Sequence, residues 1–117
     1  FKKGTFDEIL ANFNSAIFAL KKGLDSITPA HSLSIGRMIP NDIIIPDYTM
    51  SKNHASIVLH EGNYYIYDLE STNGTTVAGT ILTPNKPRQL RAGDNIAFGR
   101  LGYVFLTAER IYKLLKK

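Results

Sequence analysis

The chain has 117 residues and a mass of 13.0 kDa, the size of a single domain. With 44% hydrophobic, 10% aromatic and 21% charged residues it is neither a disordered nor a collagen-like sequence, and its longest unbroken apolar stretch, Ala16 to Leu20, is far too short to cross a bilayer. The lack of cysteine excludes disulfides, thiolate nucleophiles and Cys-ligated metal sites, and is compatible with a reducing compartment such as the cytoplasm. The start at Phe1, with neither Met nor a charged-then-apolar signal pattern, reads as a segment of a longer polypeptide.

The net charge of +4 is confined to one end. From Arg100 onward there are five cations and one anion, whereas residues 1–99 carry nine of each. Such a surplus fits the solvated face of a terminal helix better than a groove for nucleic acid, and neither nucleic acid nor membrane is expected as a partner.

In chain order, Thr5 and Glu8 form a capping-box pattern, and Phe6, Ile9, Leu10 and Phe13 recur at helical spacing. The first dozen residues are therefore predicted as a helix. Asn12, Asn14 and Ser15 suit a helix interior poorly, so a stop and then a strand over Ala16 to Leu20 is expected, with a longer helix ending at Lys21-Lys22-Gly23 as the alternative. From His31 the period changes to two and Gly, Pro, Asn and Asp punctuate the chain. The runs are Ser32 to Ile35, Ile43 to Ile45, Ala55 to His60, Tyr64 to Leu69, Thr75 to Val77, Thr80 to Leu82, Arg88 to Leu90, Asn95 to Phe98 and Tyr103 to Thr107. Many short strands near ten residues apart predict an all-β sandwich or barrel and not βαβ units. Ala55, Ile57 and Leu59 would share one face, and Tyr64, Tyr65 and Tyr67 would pack across strands. Ile111, Leu114 and Leu115 mark a short closing helix. The expected organisation is an N-terminal helix and first strand over residues 1–30, a β core over 31–107 and a C-terminal helix over 108–117.

Binding groups usually sit on the loops between strands. Three polar clusters occupy such positions: Gly36-Arg37, Ser51-Lys52-Asn53-His54 and Ser71-Thr72-Asn73-Gly74. Together they supply a guanidinium, an ammonium, hydroxyls and carboxamides with little negative charge. A phosphate ester, nearly dianionic with three acceptor oxygens, matches that donor set better than a carboxylate does.

The order Gly36-Arg37, Asn41-Asp42-Ile43, Pro46, Ser51-x-x-His54-Ala55, Asp68, Ser71-Thr72-Asn73-Gly74-Thr75 and Gly93-Asp94 resembles the forkhead-associated (FHA) domain over roughly residues 32–107. The resemblance implies a two-sheet β-sandwich of about eleven strands, flanked here by the short terminal helices, whose loops bind phosphothreonine in an extended peptide. Carried over residue by residue, it implies that Arg37 bonds the phosphate or braces its loop, that Ser51, Lys52 and Thr72 contact phosphate oxygens, and that Asn73 bonds the peptide backbone. Gly36, His54 and Gly74 would support the site. Lys52 stands where Arg is commoner in the family, keeping the charge but not the bidentate geometry. The implied partner is a phosphothreonine-containing protein, or phosphothreonine elsewhere in the parent chain, written by a serine/threonine kinase in the cytoplasm. No cofactor or metal is implied.

Each cluster also has a plainer reading: Asn73-Gly74 as a type I′ hairpin turn, Gly36-Arg37 as a turn glycine beside a solvated Arg, Lys52 as a surface charge, His54 as a hydrogen-bonded structural histidine. Joint occurrence in one family's order sets these aside. A catalytic reading, with Ser51 as nucleophile, His54 as base and Asp68 or Asp94 as orienter, lacks a nucleophile elbow, and no enzyme is expected. The rival is an FHA-like scaffold that binds a partner without phosphate. Retention of Arg37, Ser51, Lys52, Thr72 and Asn73 favours a working phosphate site.

Overall fold

The structure, a computed structural model, describes residues 31–106. The N-terminal helix, the strand over 16–20, the C-terminal helix and the boundaries assigned to these flanks lie outside the described residues. Within them the chain is all-β. Nine strands form two sheets: β1 (Ser32–Gly36), β2 (Ile43–Ile44), β3 (Ala55–His60), β4 (Asn63–Asp68), β5 (Thr75–Val77), β6 (Thr80–Ile81), β7 (Arg88–Leu90), β8 (Asn95–Phe98) and β9 (Leu101–Val104). The first sheet runs β2-β1-β3-β4-β7 and the second β6-β5-β8-β9. Only β1 and β2 pair parallel; every other pair is antiparallel.

Period-two burial decides the register, since a slip of one residue would turn each apolar side chain to solvent. In β4, Ile66 and Asp68 are buried on the inner face, with Tyr64 packed against the core, while Tyr65 and Tyr67 lie half-buried on the other. In β3, Ala55 and Ile57 are buried, whereas Leu59 is 42% exposed because this end of the strand runs past the core. Ile35, Met50, Ile66, Val77, Ile96 and Phe98 belong to a single apolar cluster that joins the sheets. Edge-on aromatic contacts cross it, His54 to Phe98 and Tyr64 to Phe105, each with ring centroids 5.4 Å apart.

The turns do not all fall where local sequence signals are strongest. The type I′ hairpins are Glu61-Gly62, joining β3 to β4, and Ala78-Gly79, joining β5 to β6, with positive φ at all four residues. Asn73-Gly74 is no hairpin: only Gly74 has positive φ, and the segment carries the chain from the first sheet to the second. The last strand begins at Leu101, two residues before the run that marked it, because Gly99-Arg100 closes a tight hairpin in which Phe98 faces Leu101. Among the described residues no helix is long and apolar enough to cross a membrane.

Candidate functional site

Three connectors meet at one end of the sandwich: residues 37–42 after β1, 45–54 before β3, and 69–74 after β4. Backbone and side-chain bonds tie them together. The Arg37 N–H donates to the Ser51 carbonyl at 3.0 Å. Asn41, buried, donates from Nδ2 to the carbonyls of Met38 and Lys52, both at 2.6 Å. Gly36 lies where these two connectors touch. A Cβ there would collide with the Lys52 carbonyl oxygen and come within 2.5 Å of Asn41 Nδ2, so the close approach requires glycine. Asp42 pins the far end of the first connector to β1, its carboxylate accepting the Ser34 N–H at 2.9 Å.

The second and third connectors are joined by Ser51 and Asn73. Ser51 Oγ accepts the Thr72 N–H at 2.9 Å, which leaves its hydroxyl proton available to an incoming acceptor. Asn73 Nδ2 donates to the Thr49 carbonyl at 2.9 Å. Beneath both lies His54, fully buried, whose Nδ1 accepts the Ser51 N–H at 3.1 Å and whose Nε2 reaches the Gly74 carbonyl at 2.9 Å. An accepting Nδ1 places the proton on Nε2, so the two bonds select one tautomer. The same Gly74 carbonyl accepts the Gly99 N–H at 3.0 Å.

The third connector is built on Asp68. Its Oδ1 accepts the hydroxyls of Ser71 at 2.5 Å and Thr75 at 2.7 Å, and Oδ2 the Ser71 N–H at 3.2 Å. Ser71 Oγ in turn accepts the Gly74 N–H at 3.0 Å. Asp68 is buried, and these bonds satisfy both of its carboxyl oxygens. His54 spends both nitrogens on backbone groups, so Ser51, His54 and Asp68 do not assemble as nucleophile, base and orienter. Asp94 is likewise occupied in its own turn, accepting the Arg91 N–H at 2.8 Å.

All five candidate binding residues thus sit on connectors linked at one rim. Lys52, Thr72 and Asn73 are exposed, and Arg37 and Ser51 half-buried. Among the described residues neither Arg37 nor Lys52 has an ion-pair partner. Among the described residues these two cations are therefore not neutralised by an ion pair, in a rim that offers hydroxyl and carboxamide groups beside them. No group of three or more potential metal ligands occurs among the described residues.

Residues that the sequence reading passed over also build this rim. Asp47 Oδ2 accepts both the backbone N–H of Thr49, at 2.9 Å, and its hydroxyl. Arg100 bonds the same carboxylate from the β8–β9 turn, Nη2 to Oδ1 at 2.6 Å, and its guanidinium lies 4.8 Å from the ring centre of Tyr48. Hydrogen bonds from Arg100 and then Thr49 hold the Asp47 carboxyl well below the usual carboxylate range, and the Arg100 guanidinium is pushed up in turn. Asp-x-Thr is a local turn signal that could have been found; its Arg partner, 53 residues away, has none.

Comparison with known proteins identifies the family. The family model of the FHA domain matches residues 33–99, more than half of the chain. The oxoglutarate dehydrogenase inhibitor of Corynebacterium efficiens is 31% identical over 96 residues, covering 79% of this chain and 66% of the relative. The chain spans just under two thirds of the length of that relative and of its Corynebacterium glutamicum counterpart, at 66% and 65%. Among solved structures, the N-terminal FHA domain of S. cerevisiae Rad53p in complex with a phosphothreonine peptide is similar with a TM-score of 0.60 and 28% identity, over 70% of this chain and 73% of that one. Mycobacterium tuberculosis EmbR in complex with a low-affinity phosphopeptide matches with a TM-score of 0.61 and 34% identity, over 66% of this chain and 20% of that one. The motif order, the two-sheet fold with its three joined connectors and the family match together make this chain a member of the FHA domain family.

Proposed function

We propose that this chain is a phosphothreonine-binding module, which docks a phosphorylated threonine of a partner protein, or of its own parent chain, among Arg37, Ser51, Lys52 and Thr72. Asn73 then bonds the peptide backbone and sets its register. The observation that carries the reading is the convergence of unneutralised Arg37 and Lys52 with Ser51 Oγ and Asn73 on linked connectors at one rim. A dianion with three acceptor oxygens fits that donor set. The phosphopeptide complexes among the solved relatives support it.

In this reading no bond is broken; the chain is a reader and not an enzyme. The recognition unit is residues 31–107, flanked by 1–30 and 108–117. It works in the cytoplasm, where a serine/threonine kinase writes the mark. A few charge-assisted contacts, offset by the ordering of a flexible peptide, give micromolar affinity, about −8 kcal/mol. Selection of threonine over serine follows from the family resemblance. Calorimetric titration with phosphothreonine, phosphoserine and unphosphorylated forms of one peptide tests the proposal. Tight binding of the first alone is expected, and equal binding of all three would overturn it.

A further inference from the structure

We infer that Asp47 and Arg100 are positioning residues for Asn73: the ion pair between the 45–54 connector and the β8–β9 turn sets the pose of the carboxamide that meets the peptide backbone. The inference rests on the phosphothreonine reading above and adds to it residues that never touch the phosphate.

A continuous set of bonds leads from one to the other. Arg100 grips Asp47 with two nitrogens, Nη2 to Oδ1 at 2.6 Å and Nε to Oδ2 at 3.3 Å. Oδ2 also accepts the Thr49 N–H at 2.9 Å and the Thr49 hydroxyl, which fixes the orientation of that residue's peptide units. The Thr49 carbonyl accepts Asn73 Nδ2 at 2.9 Å. The turn backbone abuts the same two residues: a Cβ at Gly99 would stand 3.3 Å from both Asn73 Cβ and the Thr49 oxygen. The Tyr48 ring flanks the Arg100 guanidinium, so the cation is located by two neighbours. Asp47 is the shielded partner, its side chain 16% exposed against 57% for Arg100.

The chemistry of Asn73 makes its pose matter. A carboxamide that recognises extended backbone must offer an acceptor to a peptide N–H and a donor to a peptide carbonyl at once. With one Nδ2 proton held by Thr49, the other proton and Oδ1 remain for that task, and the amide cannot flip end for end without losing the Thr49 bond. Releasing Asp47 from Arg100 removes the anchor of the carboxylate that orients Thr49, whose carbonyl receives the only side-chain bond that Asn73 makes among the described residues. The effect falls on backbone recognition and not on the phosphate.

The test compares two ligands on the whole chain: a phosphothreonine peptide and the free amino acid phosphothreonine. Arg100→Gln is expected to weaken the peptide about three- to fivefold, the scale of an exposed but two-point ion pair, while free phosphothreonine changes by less than about twofold. Arg100→Lys should recover part of the loss. Because the pair acts through Asn73, the Asn73→Ala/Arg100→Gln double variant should bind no more weakly than Asn73→Ala alone. Additive losses, or equal loss of both ligands, would overturn the inference. If the unaltered chain shows no preference for the phosphorylated peptide, the phosphothreonine reading fails instead, and the Asn73 side-chain amide resonances of the free protein decide the brace. They should move in Arg100→Gln and stay in Lys86→Gln; no movement in either overturns it.

Discussion

His54 connects Ser51 to Gly74 through the two sides of one buried ring, accepting the Ser51 N–H at 3.1 Å and bonding the Gly74 carbonyl at 2.9 Å. Two connectors that leave the first sheet, one returning to it at β3 and the other crossing to the second at β5, are therefore held at a fixed separation by one side chain. Replacing it with alanine leaves a cavity beside Phe98 and strands the Ser51 N–H, so His54→Ala should lower unfolding free energy by about 3 kcal/mol. Urea denaturation followed by circular dichroism measures this; an unchanged midpoint would show the ring to be dispensable.

Gly36 and Gly62 separate two reasons for glycine. A Cβ at Gly36 meets the backbone of Lys52, which cannot step aside, whereas at Gly62 nothing lies within 4 Å and only the φ of 80° opposes a side chain. Gly36→Ala should cost about 3 kcal/mol and reduce phosphopeptide binding; Gly62→Ala should cost about 1 kcal/mol and leave binding alone. Equal costs in thermal melts would refute the distinction.

Ala78 occupies the first position of its type I′ turn at φ 50°, a conformation that asparagine tolerates better. Ala78→Asn should raise stability by about 0.5–1 kcal/mol without altering the pairing of Val77 with Thr80. Differential scanning calorimetry reads the gain, and a lowered Tm would contradict it.

Arg37→Ala, Ser51→Ala and Asn73→Ala should each weaken the phosphothreonine peptide at least about tenfold, the first two by removing a charge-assisted contact to phosphate and the third by removing paired neutral bonds to the peptide backbone. Ser51→Ala also removes the acceptor of the Thr72 N–H, an exposed group that water can satisfy, so the fold should survive. Titration calorimetry with circular dichroism as a folding control checks all three; undiminished binding in each would sink the assignment.

Acid separates the ligand from the protein. The phosphate takes its second proton near pH 6, so affinity should fall between about pH 7 and 5, and rising salt should lower it at any pH. Asp47 titrates well below its ordinary 3.8 because Arg100 stabilises its charged form. A depressed folded-state value means that the pair's contribution to stability is full above the unfolded value and is lost only as pH drops through the folded one, below the usual carboxylate range. Loss of binding above pH 5 should thus follow the phosphate resonance in 31P spectra, with no change in the Asp47 carboxyl signal.

Much of the β framework was legible in the sequence because it follows from local burial. Ile57, Ile66 and Val77 had to point inward on a period of two, and each of the nine runs became a strand. The strand ends were less readable. Asn73-Gly74 carries the strongest hairpin signal, yet the hairpins form at Glu61-Gly62 and Ala78-Gly79, where strand pairing on both sides outweighs the strain at Glu61 and Ala78. Around the candidate site, Ser51, His54 and Asn73 stand in motifs of fixed spacing and could be named. Asp47-x-Thr49 carries a local turn signal, but Arg100 could not be joined to it, because no local rule links side chains 53 residues apart until the β8–β9 turn brings them together.

The outer strands of both sheets carry a further consequence. β2 and β6 have two residues each, β7 three and β9 four, while the longest strands, β1, β3 and β4, lie inside. Among the described residues, so few open amide and carbonyl groups along these margins give a foreign chain little template for annealing side by side. The connectors at the tips, by contrast, can exchange residues without disturbing a ladder, so their side chains can change on an unaltered chassis.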